Sequence, residues 1–435
     1  MSEPPVLAYH RRSKNRPGRP AAAPRRLDRS IEPVPFRRYR GAALLPLPEI
    51  PPVDGPAWGE LFIPGAVAPA PLDREAVARL FFDSLAISAW REEAGARFSF
   101  RVNPSAGNLH PTEAYLLAGP LPGLHDRAAL YHYSPFDHAL EIRADLPDGG
   151  VPPGTLLLGF TSILWRTAWK YGERAFRLAR LDAGHALAAV TWAAAALGWE
   201  ARQVEIGDAA LARLLGVAAQ EGPEREEPVA LLALGAPPDA RPGAPGDGGR
   251  PNRISPGHRS WPALDAVTAA TRHPGAERQA APGAETARAV LRGRRSPAAF
   301  AGALGAEEIS RVFAGGLSRP FVQRPLLRVE RLLPGDGVDL RRLAGHQSFA
   351  AGASCLAVLL GDLEPALAPG GAWLYRRLHE EAGAIGHALS LEAAAQGLGA
   401  RGIGGFLDDE VLAALGLPAE GRWQALYLLA VGRPA

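Results

Sequence analysis

The chain has 435 residues, of which 47% are hydrophobic and 21% are charged, and its formal net charge at pH 7 is +3. This length favours two domains, and the apolar content is sufficient for two buried cores. The one cysteine, Cys355, excludes a disulfide framework and a cysteine-based zinc or iron–sulfur site within the chain. The start of the sequence lacks the apolar stretch of a signal peptide, and the longest apolar run, 186–199, is too short to span a bilayer. We therefore expect a cytoplasmic protein without a membrane segment.

Positive charge is concentrated in the first 40 residues. They contain eleven Arg and Lys against three acids, which gives a net charge of +8 there and −5 in the remainder. Such a segment could bind nucleic acid or a phosphate, but it lacks interleaved aromatic residues and any nucleic-acid fold signature. We predict that residues 1–60 form an extended arm packed along the protein, with no nucleic-acid partner.

Three elements are predicted around residue 100. Apolar residues recur at helical spacing over 73–89, which indicates an amphipathic helix. Residues 129–142 read as a hairpin around a Ser-Pro-Phe-Asp turn, and the apolar run 151–160 is typical of a buried strand. Strand and turn positions explain the cluster of His132, Asp137 and His138 better than metal ligation does, so we predict no metal site.

Between these elements lies the loop R-V-N-P-S-A-G-N-L-H-P-T-E-A-Y, residues 101–115. Pro, Ser, Ala and Gly in succession form a turn whose backbone can lie against a flat ligand, because few side chains stand in the way. Asn108 and His110 add short polar groups that could reach a heteroaromatic edge. The apolar pattern after Thr112 predicts that the loop leads into a buried helix or strand.

Lysine is nearly absent. Of the 48 Lys and Arg residues, only Lys14 and Lys170 are lysines. A lysine retained in so arginine-rich a chain is typical of a site that needs a compact ammonium able to exchange a proton. Alternatively, Lys170 is a surface lysine whose stem lies along apolar residues at a helix start.

An internal repeat indicates the architecture. Residues 181–205 and 380–404 align without a gap, and each segment continues to Leu-Gly-Val or Leu-Gly-Leu and a closing apolar strand. Both halves of the chain should therefore share one fold. Residues 237–284 between them are rich in Pro, Gly, Ala and Arg without sustained periodicity, which favours a linker.

The second half contains two further candidate segments. Arg294 and Arg295 precede Ser296, which with the following proline is a strong helix start. Cationic side chains beside free helix N–H groups form a phosphate site, although a solvated arginine cluster would have the same sequence. In R-G-I-G-G-F, residues 401–406, glycines let the main chain pass a ring edge-on, although a glycine-rich helix end is an alternative.

Residues 104–111 resemble the P-S-A-G-x-L-x-P loop of the nitroreductase-like flavin enzymes, most closely the SagB/ThcOx branch, whose members oxidise azoline rings in ribosomal peptides. The matching positions are Pro104, Ser105, Ala106, Gly107, Leu109 and Pro111. Tyr9–Lys14 and Pro33–Tyr39 resemble the leader of long SagB-type chains. The resemblance covers nearly the whole chain and is weakest over 240–290.

The resemblance implies an FMN cofactor and a role for each candidate residue. The loop, with Asn108, would contact the flavin ring, and Lys170 with Tyr171 corresponds to a pair implicated in catalysis. The segment Ile403, Gly404 and Gly405 would approach flavin N5. Arg294, Arg295, Ser296 and Arg433 would hold the phosphate.

The fold implied is an α+β nitroreductase-like dimer, here duplicated in tandem so that one chain forms a pseudo-dimer. In that family one subunit supplies the phosphate arginines and the N5 segment, and its partner supplies the Pro-Ser loop. The first domain, 61–236, has the loop, whereas the second, 285–435, has the phosphate and N5 segments. We therefore predict one complete FMN site. The other interface site, with Val204 and Glu205 in place of Ile403 and Gly404, is predicted to be empty.

The leading functional hypothesis is an FMN-dependent dehydrogenase that converts a thiazoline or oxazoline of a peptide to the azole, with a cyclodehydratase or another biosynthetic enzyme as a possible partner. An NAD(P)H-dependent nitro or quinone reductase is an alternative, because this fold can bind nicotinamide without a Gly-x-Gly-x-x-Gly motif. A non-catalytic flavin-binding subunit of a biosynthetic complex is a third. The sequence leaves the substrate, the electron acceptor and further oligomerisation open.

Overall fold

The computed structural model describes residues 3–51, 55–63, 65–93, 95–146, 151, 154–234, 248–275, 308–309, 311–312, 327–328 and 338–434. In chain order the described strands are β1 (Tyr39–Arg40), β2 (Ala43–Pro46), β3 (Ile87–Glu93), β4 (Ala96–Arg101), β5 (Thr112–Ala118), β6 (Ala129–Ser134), β7 (Ala139–Asp145), β8 (Leu156–Ser162), β9 (Ala201–Val204), β10 (Glu227–Leu234), β11 (Arg250–Pro251), β12 (Leu327–Arg328), β13 (Cys355–Asp362), β14 (Gly399–Ile403) and β15 (Trp423–Gly432). The described helices are α1 (Pro5–Arg12), α2 (Arg74–Phe82), α3 (Leu164–Tyr171), α4 (Ala175–Ala196), α5 (Asp208–Leu214), α6 (Pro262–Ala270), α7 (Leu340–Leu343), α8 (Glu364–Leu367), α9 (Leu374–Ala395) and α10 (Asp408–Ala414).

Each half of the chain is built around one antiparallel sheet. The first sheet has the strand order β2-β7-β6-β5-β8-β10-β9, and the second has the order β12-β13-β15-β14. Strands β5 and β8 are buried at every position. This explains why 114–118 of β5 and 156–160 of β8 are continuous apolar runs rather than alternating ones.

The two halves repeat the same succession of elements. The order β8, α3, α4, β9, α5, β10 recurs as β13, α8, α9, β14, α10, β15. In both copies the last strand lies between the other two, and the long helix has 22 residues. The prediction of an α+β fold duplicated in tandem is thus confirmed.

Helices α4 and α9 form the interface between the halves. A Cβ atom added to Gly184 would overlap the carbonyl oxygen of Glu380, and one added to Gly383 would overlap that of Leu181. Gly184 and Gly383 are equivalent positions of the repeat, so the contact is related by an approximate two-fold axis. Glycine at both positions lets the helix backbones approach closely.

The amino-terminal segment lies across both halves, but it is not a simple extended arm. Residues Pro5–Arg12 form α1, because Pro5 suits the first helical turn and the side chains of Val6 and Tyr9 are buried. Tyr9 donates a hydrogen bond to the Glu173 carbonyl oxygen at 2.6 Å. Strand β2 is the edge strand of the first sheet, so this part of the predicted arm belongs to the core fold.

Two further predictions require correction. The helix predicted over 73–89 ends at Phe82, and β3 and β4 follow as a separate hairpin rich in aromatic residues that favour strands. The predicted linker 237–284 contains β11, which pairs with β1, and α6. Leu264 and Val267 are three residues apart and fully buried, a short apolar stripe that is sufficient to hold α6 in place.

No helix in the described part of the chain is long and apolar enough to cross a bilayer.

Candidate functional site

The loop Pro104–Asn108 lies between β4 and β5 and is held by hydrogen bonds to helix α4. The Ser105 hydroxyl donates to Asp182 Oδ2 at 2.6 Å, and the Ala106 N–H donates to Asp182 Oδ1 at 2.9 Å. Gly107 has a φ of +65° and Asn108 a φ of +61°, a left-handed conformation that glycine and asparagine tolerate. The sequence thus folds locally into a turn that α4 holds through one side-chain and one backbone hydrogen bond.

Side chains of the loop are largely engaged in fixing the turn itself. Asn108 donates through Nδ2 to the Ser99 carbonyl oxygen, and its Oδ1 lies 2.8 Å from His110 Nε2. The Ser105 hydroxyl also accepts from the His110 N–H at 2.9 Å. Burial, with Arg101 and Arg166 nearby, holds the pKa of His110 well below its usual value, so the ring is neutral. In this conformation the loop offers a ligand mainly its backbone.

The structure brings Lys170 and Tyr171 directly to this loop. Both residues lie at the end of α3, and a Cβ atom on Gly107 would lie 2.7 Å from the Tyr171 hydroxyl and 3.0 Å from Lys170 Nζ. Only glycine therefore fits at position 107 without displacement of the pair. Two motifs that are more than 60 residues apart in the sequence form one surface.

The electrostatic environment separates the two side chains. Burial, aided by the charge of Arg29, lowers the pKa of Lys170. Burial, aided by Asp182, raises the pKa of Tyr171 to about 12. Lys170 therefore releases its proton more readily than an ordinary lysine and is the better candidate proton acceptor, whereas Tyr171 keeps its proton at neutral pH and remains a hydrogen-bond donor.

The glycine-rich segment after β14 meets the same helix from the second half. A Cβ atom on Gly404 would overlap Leu178 of α4, one turn before Asp182. A Cβ atom on Gly405 would find no atom of the described residues within 4 Å. The loop from the first half and this segment from the second half thus converge on one stretch of α4, and Gly405 opens onto free space.

An ion-pair cluster fixes the glycine-rich segment. Arg174 donates through Nε to the Gly404 carbonyl oxygen at 2.6 Å and through Nη1 to Asp408 at 2.7 Å. Arg177 donates to the other oxygen of Asp408 at 2.8 Å, and the Asn15 N–H donates to Asp408 at 2.8 Å. The arm, α4 and the start of α10 therefore jointly hold the backbone at Gly404.

The predicted phosphate residues cannot be placed as a group. Arg294, Arg295 and Ser296 lie outside the described residues. Arg433 follows β15, is half-exposed, and forms an ion pair with Glu308 at 2.5 Å. Its role as a phosphate ligand stays a prediction.

The equivalent region at the other interface site is occupied by protein side chains. Arg377 donates to Glu205 at 2.9 Å, and Arg376 binds both oxygens of Asp208 at 2.7 Å. The His273 N–H donates to Asp208 at 3.1 Å, and the His273 ring packs edge-on against Trp373 at 4.3 Å. Ion pairs and an aromatic contact thus fill this region.

Sequence reasoning missed Asp182, Arg174 and Asp408. Asp182 is the one acidic residue of the repeated helix in the first half, which was the available signal. Arg174 is a base in the first half and Asp408 is an acid in the second half, and nothing in either local sequence pattern links them.

The histidines of the hairpin have partners within the protein. His132 lies between Glu141 at 2.8 Å and Glu113 at 3.1 Å, and His138 Nδ1 lies 2.9 Å from the Tyr133 hydroxyl. Across the described ranges, no group of three or more His, Cys, Asp or Glu side chains has the arrangement of a metal site.

Comparison with known proteins agrees with this geometry. Residues 292–433, about a third of the chain, match the Nitroreductase family. A candidate nitroreductase from Anabaena variabilis superposes over 100% of both chains with a TM-score of 0.76 at 22% identity. This likeness shows that the fold is nitroreductase-like over the whole chain. A comparison with curated proteins finds no match.

Two other solved structures match over smaller parts. A nitroreductase from B. subtilis covers 34% of this chain and 65% of its own, with 23% identity and a TM-score of 0.28. The McbBCD microcin synthetase complex from E. coli covers 43% of this chain and 70% of its own, with 19% identity and a TM-score of 0.32.

Proposed function

We propose that this protein is an FMN-dependent oxidoreductase whose single complete flavin site lies between the two halves. The observation that carries the proposal is the convergence of three segments on α4: the loop at Gly107, the pair Lys170 and Tyr171, and the backbone at Gly404. The nitroreductase-family match of residues 292–433 supports an oxidoreductase.

The described residues fit a flat cofactor. The loop has no bulky side chain of its own at Gly107, where Lys170 and Tyr171 lie against the main chain, and Gly405 borders space that no described residue fills and a ring could enter. Pro104, Ser105, Ala106, Gly107 and Asn108 would face the ring from the first half, and Ile403, Gly404 and Gly405 from the second. Arg294, Arg295, Ser296 and Arg433 would hold the phosphate.

The reaction we propose is dehydrogenation of a thiazoline or oxazoline ring in a peptide, as in SagB/ThcOx-type enzymes. Such a step removes one proton and one hydride from adjacent ring atoms, and bound FMN would accept the hydride. Lys170 takes the proton, because its partly buried amine has a lowered pKa and borders the ring-facing loop. Tyr171 donates a hydrogen bond that orients the substrate, because its raised pKa keeps the hydroxyl protonated.

The electrons must leave the reduced cofactor, and oxygen is the acceptor we propose. A cyclodehydratase is the partner that this reaction requires, since an enzyme of that class forms azolines. The cytoplasm is the compartment we propose for both.

A second candidate is an NAD(P)H-dependent nitro or quinone reductase. The family match at residues 292–433 favours it as a reaction class. In that case Lys170 and Tyr171 would bind substrate rather than remove a carbon-bound proton.

The test compares both reactions in the purified, FMN-reconstituted protein. Flavin absorbance is followed after addition of an azoline peptide, and separately after addition of NADPH with a nitroarene. We expect the peptide to bleach the flavin bands under nitrogen and oxygen to restore them. Bleaching only by NADPH would favour the reductase, and no turnover with flavin bound would favour a non-catalytic subunit.

Lys170→Ala distinguishes the proposed base from a residue that only lines the site. We expect azoline oxidation to fall about 100-fold or more while FMN stays bound, because general-base catalysis contributes roughly that much. Lys170→Arg is the matched control, since it keeps a long basic side chain but cannot accept a proton at neutral pH. Turnover unchanged in both variants would remove Lys170 from the mechanism.

A further inference from the structure

Asp182 is a buried carboxyl at the centre of the site that no part of the proposed reaction uses. Only 3% of its surface is exposed, and its two oxygens accept the Ser105 hydroxyl and the Ala106 N–H. None of the described residues forms an ion pair with it. A buried carboxylate without a cation is unfavourable, so its retention here calls for a reason other than stability.

The repeat supplies an internal comparison. Glu381 occupies the position in α9 that Asp182 occupies in α4, but its side chain is only partly buried, with an exposure of 27%. Arg377 donates to Glu381 at 3.3 Å, however, and links it to Glu205 at the filled interface site. At the filled site the carboxyl of Glu381 pairs with the cation of Arg377. At the proposed flavin site the carboxyl of Asp182 accepts hydrogen bonds from the loop instead.

The groups that face Asp182 come from two elements, the loop and α3. The loop contributes Ser105 and Ala106, and α3 contributes Tyr171, whose pKa the Asp182 charge raises. From β14, Arg401 acts on Tyr171 in the opposite sense. Lys170 Nζ lies close to Gly107, which follows Ala106, the residue whose N–H donates to Asp182.

We propose that Asp182 is the positioning residue of the ring-facing loop, and that its ionised form holds Ser105 and Ala106 so that Gly107 stays against Lys170 and Tyr171. The inference rests on the proposed function for its ligand, FMN, but the contacts themselves belong to the protein alone. A carboxylate can accept both hydrogen bonds at once, whereas a protonated carboxyl must turn one of its oxygens into a donor.

This role makes flavin binding sensitive to pH. Burial raises the pKa of Asp182 to about 7, against the lowering effect of the Ser105 and Ala106 hydrogen bonds. The carboxylate that fixes the loop is therefore present above about pH 7 and is lost as the pH falls below it. FMN affinity should decrease over the same range.

The first experiment needs no flavin. Amide hydrogen exchange of residues 101–110 is measured in the full-length protein and in Asp182→Ala at pH 8. We expect the Ala106 amide to exchange about tenfold faster or more in the variant, since it loses a hydrogen bond to a charged group. Unchanged exchange at Ala106 would overturn the proposal, whether or not the protein binds FMN.

The second experiment measures the dissociation constant of FMN by fluorescence quenching between pH 5.5 and 8.5. We expect the wild type to bind more weakly below pH 7 and Asp182→Asn to show no such dependence, because the amide keeps an acceptor for Ala106 but does not titrate. Glu381→Gln is the control, since burial also raises the pKa of Glu381 to about 7. It should retain the wild-type profile.

The outcomes separate the two proposals. A wild type that binds no FMN at any pH contradicts the proposed function and leaves the exchange result to decide the role of Asp182. A pH dependence that persists in Asp182→Asn, or disappears in Glu381→Gln, contradicts the positioning role. If Asp182→Ala does not fold, the Asp182→Asn profile decides alone.

Discussion

The two interface regions of this chain start from the same fold and end in opposite states. At the first, Gly404 packs against Leu178 of α4, one turn before Asp182, which holds the loop of the first half. At the second, Glu205 occupies the position of Gly404 and binds Arg377, while Asp208 binds Arg376. In the duplicated chain, ion pairs thus fill the second region, whereas the first region keeps an opening at Gly405 among the described residues.

The arginine–aspartate pairs show the shared origin of the two regions. Arg177 reaches Asp408 across the interface, and its equivalent Arg376 reaches Asp208 in the reverse direction. The difference lies in what surrounds each pair. Arg174 adds a second cation to Asp408 and also holds Gly404, whereas His273 completes the pair at Asp208.

The largest expected effect comes from Asp408→Ala, which leaves two buried arginines without their carboxylate. We expect the free energy of unfolding to fall by roughly 3–5 kcal/mol. Asp208→Ala should cost less, because Arg376 keeps Glu380 nearby and the pair is less completely buried. Urea denaturation of both variants checks the order, and equal losses would contradict the distinction between the regions.

The same pair predicts an acid limit of stability. Burial alone would raise the pKa of Asp408. Arg174 and Arg177 outweigh burial and lower this pKa to about 2. A carboxyl with a lowered native pKa stabilises the fold above its unfolded pKa, near 4, and this contribution is lost as the pH falls towards 2. Unfolding midpoints in urea should therefore decrease between about pH 4 and 2, and less steeply in Asp408→Ala.

Gly107→Ala adds only one methyl group to the first region, but it should lower both stability and FMN affinity. The added methyl would meet the Tyr171 hydroxyl and would also require a φ of +65° from alanine. Together these should cost about 1–3 kcal/mol and weaken FMN binding about tenfold or more. Gly95→Ala is the control for backbone strain alone, since Gly95 has a φ of +78° and no atom near its Cβ position.

A double variant identifies the cause. In Gly107→Ala with Tyr171→Phe the hydroxyl overlap is removed, so part of the lost stability should return. If the double variant is no more stable than the single one, the close contact between the loop and Tyr171 is not the source of the effect.

Gly405→Ala separates cofactor binding from folding. Its Cβ atom would meet no atom of the part of the chain that the structure describes, so the free energy of unfolding without FMN should change by less than about 1 kcal/mol. If the ring lies in this space, the methyl group should raise the dissociation constant of FMN several-fold. Unchanged affinity would place the ring elsewhere.

The smallest effect is expected at the filled region. Arg377 and Glu205 are partly exposed, with side-chain exposures of 27% and 20%, so Arg377→Ala should change stability by about 1 kcal/mol or less. FMN affinity should not change, and a loss of flavin in this variant would show that the two regions are coupled.

The sequence predicted what local pattern and repetition encode. The aligned segments 181–205 and 380–404 became α4 with β9 and α9 with β14, and the loop and Lys170 were found from unusual composition. The structure then brought these motifs together, which no local pattern required.

What the sequence left undetermined depends on long-range contacts. Asn15 binds Asp408 nearly 400 residues away, and α1 forms because the second half covers Tyr9 through Tyr375. The helical spacing of 73–89 continues past Phe82, where the helix ends. Beyond that point the aromatic residues of β3 and β4 favour strands instead. Such choices are made by tertiary packing rather than by propensity.

The central claim is that one chain forms one flavin site from both halves. The most direct measurement is the molar ratio of FMN to protein after reconstitution and removal of free cofactor, with Gly405→Ala measured in parallel. A ratio near one that falls in the variant agrees with the claim. A colourless protein, or a ratio near two, contradicts it.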